Sequence, residues 1–174
     1  MRWSQSYEPR QVVRIPVVMG DFTDVPVEGS FGLVFLVFNT LFALEGQEDQ
    51  VRCFRNVAAH LDAGGRFVLE AFFPDVSRFD NGQRLGTLDV DMRGIQGEAS
   101  RHDRVSQRID TQRVHITIDG IKLYPVAVRY AWPAEMYLMA RLAGLELKHR
   151  WGGWSREPFG QESCSHVSVY RQPE

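Results

Sequence analysis

Three polar residues stand at or near the ends of apolar runs: Asp21, Asn39 and Glu70. An ionised aspartate only accepts hydrogen bonds, an asparagine both donates and accepts, and a glutamate can take a proton. Each also has a plainer reading. Gly20-Asp21 is common turn chemistry, Asn39-Thr40 can cap the turn that follows, and Glu70 can be an inward acid or an edge residue facing water. Among the histidines, His60 suits a helix end, whereas His102, His115, His149 and His166 have no partner at a useful spacing. Trp151-Gly-Gly-Trp154 suits a loop over a pocket or packing against the core.

The elements that must position these residues alternate apolar runs with polar turns. Residues 17–19 form a short run that stops at Gly20-Asp21, and residues 31–38 a nearly unbroken one that ends at Asn39-Thr40. Residues 44–61 carry Val51, Phe54, Val57, Ala58 and Leu61 at helical spacing, with Gln47, Arg52, Arg55 and Asn56 facing away. Glu48 and Asp49 favour the dipole of that helix, and Gly64-Gly65 is expected to end it. A third strand is expected over residues 66–73. Runs apolar on both faces suit parallel strands covered by helices, and ligands in such sheets bind beyond the carboxyl ends of the strands.

From residue 84 to 131 the period changes to two, and Asp119-Gly120 between alternating runs signals a hairpin. This block reads as an antiparallel ribbon or small sheet inserted into the α/β unit, its charges between Arg101 and Arg113 forming a solvated face. Pro133 opens a second helix that Gly144 closes. Strands over residues 145–151 and 166–170 follow, with a loop over 152–160 between them. Residues 1–16 are hard to interpret, although Val12-Val13-x-Ile15 allows a short strand.

Composition narrows the function classes. A net charge of −2 gives no electrostatic reason to invoke nucleic acid or an anionic membrane. Two cysteines, Cys53 and Cys164, are too few for a disulfide framework and lack metal-ligand spacing, so both are expected as buried small hydrophobes and no metal is expected. No apolar stretch approaches the length of a membrane span, and the amino terminus lacks a signal-peptide core, so a cytoplasmic protein is expected.

Gly20-Asp21-Phe22, the run into Phe38-Asn39-Thr40-Leu41, and Leu61-Asp-Ala-Gly-Gly-Arg-Phe-Val-Leu-Glu70 resemble consecutive blocks of the class I S-adenosylmethionine-dependent methyltransferases. The ending His166-Val-Ser-Val-Tyr170 is similar to that family's last strand, and the inserted ribbon resembles its sugar-amine and glycine-type N-methyltransferases. The resemblance spans roughly residues 16 to 171. It implies a partial Rossmann-like sheet, mostly parallel with an antiparallel last strand, as residues 17–174. It also implies S-adenosylmethionine as cofactor and a small-molecule N or O acceptor. Asp21 and Phe22 would sit at the adenine, with Phe38 and Asn39 beneath the transferred methyl group. Thr40, Phe72, Phe73 and Trp154 would shape the acceptor pocket, and Glu70 or His115 are candidate bases.

One part of that family's pattern is missing. No G-x-G occurs among the 15 glycines, and too few residues precede Val17 for the opening strand–helix–strand unit. A truncated form is therefore expected, with weak or absent cofactor binding. Its two bare strand edges would be repaired by pairing of residues 12–19 beside the 31–38 strand, or by a homodimer formed through the sheet edge or the ribbon. The rival expectation is a degenerate, non-catalytic module that self-associates or partners a full-length enzyme.

Overall fold

The computed structural model describes residues 15–173. Two four-stranded sheets share one hydrophobic core. The first contains β1 (Phe31–Leu36), β2 (Leu61–Phe72), β7 (Glu146–Trp151) and β8 (Ser165–Arg171) in the order β1-β2-β8-β7. β1 and β2 are parallel, with Val34 opposite Phe67 and Leu36 opposite Leu69. β8 runs against both of its neighbours. Three strands therefore point one way and β8 the other.

Helix α1 (Gln47–Ala59) connects β1 to β2, and helix α2 (Pro133–Leu142) precedes β7. Both cover one face of the sheet. Phe54 of α1 meets Phe67 and Tyr170 edge-on, at 5.4 and 5.6 Å between ring centroids. Met136, Met139 and Ala140 of α2 are buried in the same core. Pro133 starts α2 as expected, and Gly144 (φ +75°) turns the chain after it.

The helix over residues 44–61 is shorter than its periodicity predicts. A 3-10 turn (Thr40–Ala43) precedes it, Gly46 is its N-cap, and His60 ends it. The His60 ring nitrogens lie 2.8 and 3.0 Å from the Asn56 and Val27 carbonyl oxygens, which anchors this end. Gly64-Gly65 is consequently not a helix stop. Both glycines lie inside β2, where the register with β1 slips between Phe31 and Leu33. A Cβ on Gly65 would come within 2.9 Å of the Phe31 carbonyl oxygen, and Gly64 takes φ +78°, so glycine is required on steric grounds.

Two strand expectations also fail. Residues 17–19 form no strand, and Val17, Val18 and Met19 are exposed. Three residues after a proline contribute too few ladder bonds to hold an extended segment without a docked partner. β1 ends at Leu36 rather than 38, because Phe38 and Asn39 both adopt positive φ (57° and 61°). The expected pairing of residues 12–19 beside β1 is absent over the described part; residues 12–14 lie outside the described residues.

The second sheet is a meander of β3 (Gln83–Asp91), β4 (Gly94–Asp103), β5 (Arg108–Thr117) and β6 (Gly120–Arg129). Gly120 makes the β5–β6 turn with φ +126°. The end of the sheet nearest the first sheet packs onto the common core through Ile109, Phe79 and Tyr130. Its far end is open to solvent, with Val90, Ile116 and Ile121 exposed. β4 (GIQGEASRHD) has almost no apolar alternation. It is a strand because β3 and β5 satisfy its backbone on both sides.

Candidate functional site

The chain reverses sharply at the carboxyl end of β1, and β2 braces the reversal. The Phe38 N–H donates to Glu70 Oε2 at 2.9 Å, and the Phe72 N–H donates to Asn39 Oδ1 at 2.6 Å. Each strand end thus supplies a side-chain acceptor for a backbone donor of the other. Left-handed backbone at two consecutive non-glycine residues is costly, and these two bonds hold it in place.

The second Glu70 oxygen accepts the Trp154 indole N–H at 2.9 Å. Trp154 lies in the loop between β7 and β8, so Glu70 ties three segments together. Its ring is exposed, and packing against the core is excluded. Phe72 packs edge-on against Phe42 at 4.8 Å. Phe73 packs against Trp132 and Phe159 at 5.7 and 5.8 Å. The Thr40 hydroxyl donates to the Val37 carbonyl at 2.6 Å and so opens the 3-10 turn.

Of the residues singled out in the sequence, Phe38, Asn39, Glu70, Phe72 and Trp154 meet at one place, with Thr40 and Phe73 beside them. His115 is not among them. It pairs with Gln96 and Lys122 toward the far end of β5, on the order of 20 Å along the strand from the Arg108 end that touches the body. Asp21 and Phe22 lie on the α1 side. Asp21 accepts the Thr23 N–H at 2.9 Å in an exposed turn, and that hydrogen bond holds its carboxyl below the usual range. Phe22 packs against the core.

Sequence reasoning missed a polar cluster where the second sheet joins the body. Gln50 is fully buried, and its amide donates to the Leu44 and Arg129 carbonyls at 3.0 and 2.8 Å. Its carbonyl accepts from Arg129 Nη1 at 2.7 Å. Arg129 also pairs with Glu135 at 2.7 Å, and Gln47 and Gln107 donate to the same carboxylate. Burial by itself would raise the Glu135 carboxyl, but these donors outweigh it and leave the group below its ordinary value. A glutamine at a core position of the α1 stripe was the available signal.

One other expectation needs correction. Cys164 is exposed, because it falls in the loop just ahead of β8; Cys53 is buried as expected. His166 is buried too. Its Nδ1 lies 3.0 Å from Ser168 Oγ and its Nε2 has no partner, so burial pushes its pKa down to about 4.

An open cleft of about 1280 Å³ lies elsewhere, against the second sheet, between Glu45, Arg78, Leu85, Ala99, Pro125 and Ala127. None of the candidate residues lines it. The carboxyl end of β1 is the better site, because polar acceptors and aromatic rings converge there at the strand ends of an α/β sheet. No group of three or more metal-ligating side chains occurs among the described residues.

This arrangement is an α/β sheet with a candidate site at its strand ends and an antiparallel sheet beside it. Comparison with known proteins finds similarity to methyltransferases. No family model matches the chain. Cypemycin N-terminal methyltransferase from a Streptomyces species is 28% identical over 156 residues, which are 89% of this chain and 64% of that protein. The solved CcbJ methyltransferase from Streptomyces caelestis superposes with a TM-score of 0.85 at 38% identity, covering 90% of this chain and 63% of that one. CalS10, an S-adenosylmethionine-bound amino pentose methyltransferase from Micromonospora echinaspora, shares the fold at 21% identity and a TM-score of 0.61. The resemblance read from the sequence is thus matched by similarity to S-adenosylmethionine-dependent methyltransferases. The chain spans a little under two thirds of the length of the first two.

Proposed function

We propose that this chain carries the acceptor side of an S-adenosylmethionine-dependent methyltransferase that passes a methyl group to a small-molecule N or O acceptor. The observation behind this reading is the meeting of Phe38, Asn39, Glu70, Phe72 and Trp154 at the carboxyl end of β1. On this reading the first sheet is part of a Rossmann-like sheet.

The residues present fit one end of the cofactor. A carboxylate and two exposed aromatic rings, Phe38 and Trp154, favour a cationic centre such as a sulfonium. Asp21 offers an acceptor suited to the exocyclic amine of adenine. Among the described residues, no glycine-rich turn leads into a helix to cradle the rest, so weak binding is expected. When bound, the cofactor supplies an electrophilic methyl group. The chain's own residues then orient the acceptor and exclude water, and most of the rate comes from alignment at near-attack distance. Glu70 is the group placed to take the proton an amine or hydroxyl gives up. His115 is too far away.

The reading includes a homodimer formed through the second sheet, whose exposed face carries Val90, Ile95, Ile116, Ile121 and Leu123. Light scattering tests it, and a monomer at micromolar concentration rejects it. It also includes a reducing, cytoplasmic location, consistent with two free cysteines.

Calorimetric titration with S-adenosylmethionine and S-adenosylhomocysteine tests the enzyme reading. Binding at millimolar affinity or tighter supports it. No heat at millimolar ligand favours the second reading, a non-catalytic module, to which the exposed edge of β1 also points.

A further inference from the structure

We propose that Glu70 is a proton-driven latch: the proton it takes from the acceptor frees the loop tip that carries Trp154 and opens that side of the site. The inference rests on the methyl-transfer reading for the source of the proton. The latch itself rests on the bonds around the carboxylate, whose two oxygens are both committed. Oε2 accepts the Phe38 N–H and Oε1 the Trp154 indole N–H, each at 2.9 Å. An ionised carboxylate only accepts hydrogen bonds, whereas a protonated one turns one oxygen into a donor. In the proton step the acceptor's N–H or O–H bond breaks, its electron pair stays on the acceptor, and the proton bonds to a Glu70 oxygen. The neutral acid then faces two N–H donors with one unprotonated oxygen, and both bonds lose their charge assistance. One donor must let go.

Geometry says which one. The left-handed backbone at Phe38 continues into Asn39, whose Oδ1 accepts the Phe72 N–H at 2.6 Å. Moving Phe38 therefore breaks a second bond. Trp154 is 59% exposed, so its freed indole N–H is met by water. The loop between β7 and β8 also has a fixed base and a lightly held tip. At the base Trp151 bridges to Pro158, and the Gly152 N–H donates to the Glu157 carbonyl at 2.7 Å. Phe159 packs edge-on against Phe73 and His166. At the tip, residues 153–156, the Arg156 N–H closes a turn on the Gly153 carbonyl at 3.2 Å, and the Arg156 guanidinium lies over the Trp151 ring. Among the described residues, the indole bond is the one hydrogen bond from this tip to β2. Cutting it leaves the base in place and lets the tip swing.

The charged neighbours of the carboxylate are few. β1 brings none, β2 itself brings Arg66, and the loop brings Arg156 and Glu157, with Glu162 beyond them. β8 brings His166, which is paired with Ala71 and so lies on the opposite face of the sheet from Glu70.

The test puts a neutral stand-in for the protonated acid, Glu70→Gln, into the full chain without cofactor. NMR hydrogen exchange then reads the Trp154 indole N–H and the Phe38 backbone N–H. The indole proton is expected to exchange about tenfold faster than in the unaltered chain, the factor for losing one hydrogen bond of ordinary net strength, while the Phe38 amide keeps its protection. An indole that exchanges at the unaltered rate overturns the proposal. So does a freed Phe38 amide beside a protected indole. Trp154→Phe cuts the same bond from the other side with Glu70 intact. Here the Arg156 amide at the tip is expected to exchange about tenfold faster, and the Gly152 amide at the base at the unaltered rate. An Arg156 amide as slow as before overturns the latch, even if Glu70→Gln fails to fold. Titrating S-adenosylmethionine into the unaltered chain separates the two readings. A working latch without cofactor binding retains the device and removes methyl transfer as its proton source, whereas binding with an unmoved indole removes the latch alone.

Discussion

Glu70 accepts the backbone N–H of Phe38 at 2.9 Å, 32 residues away in the chain and on the neighbouring strand. The carboxylate therefore stabilises a left-handed backbone residue at the end of β1. It also holds Trp154 by its indole N–H, which couples the loop before β8 to the same point.

Removing that carboxylate is expected to release both partners. Glu70→Ala should cost about 1 kcal/mol, the net value of ordinary hydrogen bonds at a partly exposed place. It should also shift the Trp154 emission to longer wavelength, read as the difference from Trp154→Phe. Spectra unchanged by Glu70→Ala would mean that the indole bond does not exist in solution.

The Arg129 cluster makes a stronger prediction. Gln50→Leu strands the Arg129 guanidinium and backbone carbonyls in the core, and Glu135→Ala removes its charge partner. Each is expected to cost about 3 kcal/mol in urea unfolding, as for other buried ionic groups that lose one partner. Because the folded Glu135 carboxyl lies below its ordinary value, its contribution is present above the unfolded value near 4.5 and is lost as pH falls. A cost under about 0.5 kcal/mol, the scale of an indifferent surface change, would show that the cluster is wet.

His166 gives a separate acid dependence. Its folded pKa of about 4 lies below the ordinary 6.5, so the unfolded chain takes up this proton first. Stability from this group is therefore complete above about pH 6.5 and declines as pH falls toward 4, by about 3 kcal/mol in all. Melting temperatures across this window should fall less steeply for His166→Gln. Parallel curves would count against a buried neutral imidazole.

The two thiols should differ in reactivity. Cys164 is exposed and is expected to react with a disulfide reagent in the native protein. Cys53 is buried, and burial pushes its pKa up to about 12, so it should react only on unfolding. Two fast thiols before denaturation would contradict the packing of α1.

Much of the site was legible because its residues sit at strand ends. Asn39 closes an apolar run and Glu70 stands near the end of another, and apolar runs bounded by polar turns locate strand termini without any tertiary information. The α1 stripe and the Pro133 helix start were legible for the same reason, since helical periodicity and cap chemistry are local. His115 misled because a strand position shows which face a side chain occupies, but not how far along a protruding sheet it lies.

Local pattern alone settled the two helices, the hairpin at Asp119-Gly120, and which polar residues stand at or near strand ends. Only the tertiary structure decided that Glu70 reaches back to Phe38, that Gln50 holds Arg129 inside the core, and that Gly64-Gly65 bends a strand instead of ending a helix. β4 belongs with these, because its strand state comes from the neighbours that pair with it. The physical reason is common to all four. Periodicity and turn chemistry act over a few residues, whereas these contacts join segments far apart in the chain, whose meeting depends on how the sheets and helices pack.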